Sequence, residues 1–376
     1  MARATRAVVT DDSHFMRSVI SDMLEESGVE VVAEARNGRE AVQAVREHEP
    51  DVVTMDVEMP EMNGIEAVEE IMATTPTPVL MLSAHTDEND DVTFEALEKG
   101  AVDFFTKPGG EVSMEMSRLE DQLVEMVQSV AEVDVRVGPG TDATTPQEAY
   151  TEAVEAAETA TAGTTPDASE TDAESVTEPT AAYVDSPTLL LGSSTGGPTV
   201  VERIMAELPL AADLRVLIVQ HMPDGFTSRF AERLDSRSDY DVAEATDGAR
   251  IGGGEALVAA GGKHMEVTNY ARGRLRVALT EAPPENSVRP AVDVTMRTAA
   301  DCITDPMVAV ILTGMGTDGA DGVRAVTRAG GHVIAQNEAS SAVYGMPKRA
   351  VETGVVDDEL ALESITDAVL DALTEA

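Results

Sequence analysis

Short apolar runs that alternate with segments of helical spacing constrain this chain more than any other feature. Over residues 6–108 the runs are RAVVTDD (6–12), EVVAEA (30–35), DVVTMD (51–56), TPVLMLSA (77–84) and VDFFTKP (102–108). Between them, apolar residues recur at helical intervals, as in Val42 and Val45 or Ile65, Val68, Ile71 and Met72. Five such strand–helix units predict a parallel, doubly wound sheet. A closing helix follows, with Leu119, Leu123, Val127 and Val130 on one face. The alternation resumes at 188 with TLLLGSS, LRVLIVQHMP (214–223), EALVAAGGK (255–263), LRVALTE (275–281), PMVAVILTG (306–314) and GGHVIAQ (330–336). Helices are expected over 198–208, 224–235, 290–304, 319–329 and 345–353, which makes a second α/β domain with mostly parallel strands.

The two blocks are separated by Ala, Thr, Glu, Asp and Pro, as in TDATTPQEAYTEAVEAAETATAGTTPDASETDAESVTEPT. Such a stretch buries too little apolar surface to offset its ordering entropy, so it reads as a flexible linker with at most a transient helix at YTEAVEAAE. The expected organisation is therefore 1–128, a linker over 129–185, and 186–376. The single cysteine, Cys302, excludes internal disulfides and a Cys-rich metal site and reads as a small buried hydrophobe. No apolar run reaches the ~18 residues of a membrane span, and MARATRAVVTDD lacks a signal-peptide core. A cytoplasmic protein is expected, with no direct membrane insertion.

Charge bears on the surroundings. The formal net charge is −44, spread as −20 over residues 1–128, −12 over 129–185 and −12 over 186–376. An acidic tail would concentrate the excess in one block. Only four of the 26 basic residues are lysine (99, 107, 263 and 348). An acidic surface over the whole chain suits a cytoplasm with molar salt, where a Debye length of ~3 Å screens self-repulsion. No basic patch is available for nucleic acid or anionic lipid.

In the first block, four strand ends carry reactive groups: Asp11 and Asp12 after the first, Asp56 after the third, Ser83 at the fourth and Lys107 after the fifth. The carboxyl ends of a doubly wound sheet line one crevice, so these groups can converge. Crowded carboxylates suit a hard cation such as Mg²⁺, which would also screen a phosphoryl group on a carboxylate while Lys107 holds one of its oxygens. The bland alternative is that Asp11 and Asp12 cap a helix and Asp56 merely ends a strand.

This block resembles the receiver domain of response regulators over 4–128, through TDD (10–12), MDVEMPEMNG (55–64), LSA (82–84) and TKP (106–108). The resemblance implies a flavodoxin-like fold. It also implies phosphorylation of Asp56 by a chemotaxis histidine kinase. Asp11, Asp12, Asp56 and the Glu58 backbone carbonyl would hold Mg²⁺, and Ser83 and Phe105 would report phosphorylation. Phe105 stands where Tyr is frequent in the family.

In the second block, TLLLGSSTGGP holds G-x-S-x-G as Gly192, Ser194 and Gly196, between an apolar strand and a helix. Glycine neighbours allow the sharp turn that exposes a serine hydroxyl above a sheet. Centring on Ser193 would put Leu191 and Thr195 at the glycine positions, so the register selects Ser194. A dinucleotide-binding turn is disfavoured, because G-x-G-x-x-G spacing is missing. A nucleophilic serine needs a base and an orienting acid. His221 directly follows VLIVQ, whereas His264 lies in a less regular loop and His332 within a strand. Asp318 sits in GMGTDG beyond VAVILT, among glycines that would let backbone N–H groups approach an oxyanion. From the residues alone, His221 also reads as a loop histidine and Asp318 as a helix cap.

Over 186–356 this block resembles the catalytic domain of the CheB protein-glutamate methylesterases. The matching stretches are LGSSTGGP (191–198), VQHMP (219–223), AAGGKHM (259–265), RPAVDV (289–294), LTGMGTDGA (312–320) and AQNEASSAVYGMP (335–347). The resemblance implies Ser194 as nucleophile, His221 as general base and acid, Asp318 as its orienting partner, the Met315 N–H at the oxyanion and Thr195 supporting the histidine. No cofactor is implied for the ester hydrolysis. Substrates would be methyl-accepting chemotaxis receptors, at glutamate methyl esters and glutamine amides. Thr317 stands where Asn is usual and Ser193 where Ala is usual. The rival from another class is a phosphorylation-dependent scaffold with a silent second domain. A transcription factor fits less well, because there is neither a helix-turn-helix pattern nor a basic face.

Overall fold

A computed structural model describes residues 3–83, 89–107, 115–133, 135, 183–184 and 187–374. Most of the linker, with its YTEAVEAAE segment, lies outside the described residues. In the first block, β1 (Arg6–Thr10), β2 (Glu30–Ala35), β3 (Val52–Asp56), β4 (Val79–Ser83) and β5 (Asp103–Thr106) alternate with helices. These are α1 (His14–Glu26), α2 (Gly38–His48), α3 (Gly64–Thr74), α4 (Asn89–Glu98) and α5 (Glu115–Ala131). The strands pair in parallel in the order β2-β1-β3-β4-β5, the flavodoxin-like order.

Period-two alternation sends successive strand residues to opposite faces. Val8, Val53, Met55, Val79 and Met81 face the core shared with α2, α3 and α4. Ala7, Val9, Val52, Leu80 and Leu82 face Ile20 and Leu24 of α1 and Leu123, Val127 and Val130 of α5. Ser13 caps α1, accepting from Met16 N, while Asp11 Oδ1 accepts the Ser13 N–H at 2.8 Å and leaves Oδ2 to Lys107.

The second block holds β6 (Thr188–Ser193), α6 (Gly197–Glu207), β7 (Arg215–Gln220), α7 (Phe226–Arg237), β8 (Asp241–Glu244), β9 (Arg250–Ile251) and β10 (Glu255–Val258). It continues through β11 (His264–Ala271), β12 (Arg274–Thr280), α8 (Val292–Cys302), β13 (Met307–Ile311), α9 (Ala320–Arg328), β14 (His332–Gln336), α10 (Met346–Glu352), β15 (Asp358–Leu360) and α11 (Ile365–Ala372). Seven strands form a parallel sheet in the order β15-β14-β13-β6-β7-β10-β8. The LRVALTE run departs from expectation: it leaves this sheet and pairs antiparallel with β11 and β9. Its alternation, with Leu275 and Val277 buried, suits a sheet that is wet on one side. Cys302 is half-buried and donates to the Val267 carbonyl at 3.3 Å. No helix among the described residues is long and apolar enough to cross a membrane.

Candidate functional site

The crevice of the first block gathers the expected groups. Ligand oxygens of Asp11, Asp12 and Asp56 lie within 4.8 Å of one another. Asp11 and Asp56 are buried and Asp12 is exposed. Lys107 Nζ sits 2.7 Å from Asp11 Oδ2 and 2.7 Å from Asp56 Oδ1. Burial pushes the Asp56 carboxyl up to about 6 against the pull of Lys107. Ser83 is buried at the end of β4, and Glu58 lies exposed two residues past β3. Phe105 is buried in the core beneath α1 and α5. Arg17, which no sequence motif marks, donates from Nη1 to the carbonyls of Asp11 at 2.8 Å and Asp12 at 3.2 Å. An arginine one turn into α1 gave no sequence signal of that role.

In the second block, Ser194, His221 and Asp318 follow β6, β7 and β13, three neighbours in the sheet order. Ser194 is half-buried directly after β6, and its N–H donates to the Thr313 carbonyl at 3.0 Å. Gly196 adopts φ +74°, the left-handed conformation that glycine tolerates best. Gly192 serves differently: a Cβ there would lie 2.5 Å from Val292 Cγ1, so glycine lets β6 approach α8.

His221 Nε2 lies 2.8 Å from Asp318 Oδ2, and Asp318 is buried. The same oxygen accepts from Val292 N at 2.6 Å, while Oδ1 accepts from Asp293 N at 3.0 Å and Gly319 N at 3.1 Å. Burial raises the Asp318 carboxyl, but the His221 bond and these N–H donors outweigh it and hold the group below its ordinary value. Gly319 is the residue that caps α9, so Asp318 instead satisfies the open N–H groups at the start of α8. His264 bonds the Pro283 carbonyl and His332 bonds Asp358, so geometry separates both from the serine turn.

Gln220 ties the serine turn to the histidine loop. Its Nε2 donates to the carbonyls of Ser194 at 2.9 Å and His221 at 3.1 Å, and its Oε1 accepts from Ser193 Oγ at 2.6 Å. Ser193, the departure from the usual alanine, thus orients that amide. Among the described residues no hydrogen bond joins the Ser194 hydroxyl to the His221 ring; such bonds often tighten only with substrate.

Residues Met1–Val135 and Tyr183–Ala376 pack as one compact unit. The first block meets the serine turn directly: buried Asp103, at the start of β5, accepts from Gly196 N at 3.2 Å and from the Thr195 side chain. Thr195, expected to support the histidine, has its side chain bonded to Asp103. Burial pushes the Asp103 carboxyl up to about 7 despite these donors and the Phe104 N–H. Ser129 Oγ of α5 lies 2.7 Å from Met315 Sδ. Beside them Phe104 stacks on Phe226 at 4.6 Å and Phe94 on Phe230 at 6.1 Å, while Glu98 pairs with Arg233 at 2.8 Å.

Two family models match the chain: the response regulator receiver domain over residues 7–117 and the CheB methylesterase over 189–369. A protein-glutamate methylesterase/protein-glutamine glutaminase of Haloarcula marismortui is 66% identical, covering 100% of this chain and 99% of that protein. The protein of that description from Natronomonas pharaonis is 59% identical over 98% of this chain and 97% of its own length. One from Pyrococcus horikoshii is 40% identical over 99% of this chain and 95% of its own. With both models placed in order and the relatives matched from end to end, the chain belongs to the CheB methylesterase family, with a response regulator receiver domain ahead of the esterase.

Proposed function

We propose that the protein is a phosphorylation-regulated serine esterase that hydrolyses glutamate γ-methyl esters on methyl-accepting chemotaxis receptors, with deamidation of receptor glutamines by the same chemistry. The observation that carries this reading is the convergence of Ser194, His221 and Asp318 at the ends of three adjacent strands, with the 2.8 Å His221–Asp318 bond in place. Ser194 Oγ attacks the ester carbonyl carbon while His221 takes the hydroxyl proton, and Asp318 stabilises the imidazolium that results. The Met315 N–H faces the developing oxyanion. The carbon–methoxy bond breaks, His221 returns the proton, and methanol leaves. Water then attacks the acyl-serine through the same histidine, releasing glutamate and restoring Ser194; ammonia replaces methanol when the substrate is an amide.

The receiver supplies control. Asp56 accepts the phosphoryl group from a chemotaxis histidine kinase, and the oxygen-rich set of Asp11, Asp12 and Asp56 suits Mg²⁺, to which the Glu58 carbonyl would add a fourth oxygen. When bound, that ion would offset the charge of the incoming phosphoryl oxygens. Lys107, already between Asp11 and Asp56, would take one of those oxygens, and Ser83 and Phe105 would relay the change. The Asp103 and Ser129 contacts support a docked receiver that occludes the esterase, released when Asp56 is phosphorylated.

Methanol release from methylated receptor membranes tests the reading. Ser194→Ala is expected to lose at least about 10³-fold in rate and to lose labelling by a fluorophosphonate probe. In the full chain a small-molecule phosphodonor with Mg²⁺ should raise the rate, and Asp56→Asn should abolish that response. Near wild-type activity of Ser194→Ala would exclude this nucleophile, and an unchanged response of Asp56→Asn would exclude this control.

A further inference from the structure

The RPAVDV stretch and the loop before it take no part in the chemistry above, yet they close around Asp318. Glu285 and Val288 exchange backbone hydrogen bonds, at 3.2 Å and 3.0 Å, across Asn286 and Ser287. Both central residues have positive φ, +52° and +66°, which makes this a tight two-residue turn of the kind asparagine favours. The turn is held from outside by a bidentate Arg297–Glu285 pair from α8 and by His264, whose ring bonds the Pro283 carbonyl at 3.1 Å. So fixed, the Asn286 amide donates from Nδ2 to Asp318 Oδ1 at 2.9 Å and to Asp293 Oδ2 at 2.8 Å. The other oxygen of Asp293 accepts from Gly322 N at 2.6 Å, which fixes that carboxylate to α9.

We propose that Asn286, clamped by Asp293, is a positioning residue for the ester hydrolysis: its amide, bonded to both carboxylates, fixes Asp318 and through it the His221 ring. The inference rests on the esterase reading and names residues of that same site that act without touching substrate. Its physical basis is the proximity of two buried carboxylates. Asp318 and Asp293 repel each other, and the single amide between them donates one hydrogen to each. Burial, then the Asp318 charge, pushes the Asp293 carboxyl up to about 6 even with that donor present. The titratable and charged groups facing the cluster are the His221 ring after β7, Asp321 at the start of α9 and Arg297 on α8, the last committed to Glu285. Asn286 is the one side-chain amide bonded to Asp318 among the described residues.

Turn formation and positioning are separable by substitution. Asn286→Gly keeps the positive φ and removes the amide. Asp293→Asn keeps the shape but turns a donor toward the Asn286 donor. In the full chain, each variant is expected to lower kcat for methanol release from methylated receptor membranes by roughly tenfold with KM unchanged. Each should also shift the low-field proton resonance of the His221–Asp318 hydrogen bond. The double variant should be no slower than the slower single one, because both act through one contact. Wild-type kcat with an unmoved resonance in Asn286→Gly would overturn the proposal, leaving Asn286 a turn residue only. If Asn286→Gly does not fold, the same pair of results for Asp293→Asn decides. The resonance judges the inference without any turnover, whereas a wild-type chain that released no methanol would overturn the esterase reading instead.

Discussion

Asp103 is a receiver carboxylate buried against the serine turn, and its ionisation carries a sign that can be tested. Its carboxyl is pushed up to about 7 in the docked arrangement, against an ordinary value near 4 for an exposed aspartate. A group raised in this way favours docking fully below the ordinary value, and that contribution is lost as pH rises through about 7. Asp103→Asn keeps an acceptor for the Gly196 N–H but never bears the charge. The unphosphorylated wild-type rate, relative to that of Asp103→Asn, should therefore climb as pH rises from 5 to 8, the loss of docking having begun just above the ordinary value. Comparing the two esterase rates at each pH cancels the titration of the catalytic groups themselves. A ratio that stays flat from pH 5 to 8 would dismiss the linkage.

At the scale of elements, the nucleophile turn depends on how closely β6 approaches α8. Of the two glycines in G-x-S-x-G, only Gly196 makes the sharp turn. A methyl group on Gly192 would press on Val292, whose N–H is the 2.6 Å donor to Asp318. Gly192→Ala is thus expected to cost about 1–3 kcal/mol by overpacking. It should also depress esterase rate through the displaced α8 terminus. Thermal unfolding and methanol release measured on the same sample would check the two effects together. The parallel strands and the helices that join them were legible because apolar periodicity is local. The separate sheet of the LRVALTE strand is not legible in sequence, because its partners β11 and β9 are selected by chain reversal and packing.

At the scale of the whole molecule, the charge of −44 falls on two α/β blocks and a linker, while few of the acidic groups have chemical roles. Relatives from the halophilic archaea Haloarcula, Natronomonas and Halobacterium, at 56–66% identity, agree with an acidic surface built for salt. Moving the protein from molar salt to about 0.01 M lengthens the Debye length from ~3 Å to ~30 Å and exposes each excess carboxylate to its neighbours. Thermal unfolding followed across that range should show the melting temperature falling as salt is withdrawn. A melting temperature independent of salt would remove screening as the reason for the composition.

The sequence by itself determined both α/β blocks, the strand ends bearing Asp11, Asp12, Asp56, Lys107 and Ser194, and the family to which those motifs point. Each of these follows from residues adjacent in the chain, where strand, turn and reactive group are written together. The tertiary structure set the distance that sequence only pointed to, placing His221 2.8 Å from Asp318 while His264 and His332 take other partners. It alone brought Gln220, Asn286, Asp293 and Asp103 to the site, the last from a different domain. Those residues are ordinary polar side chains in sequence. What places them there is the pairing of buried donors with buried acceptors, and partners for that pairing come from strands and turns tens of residues away.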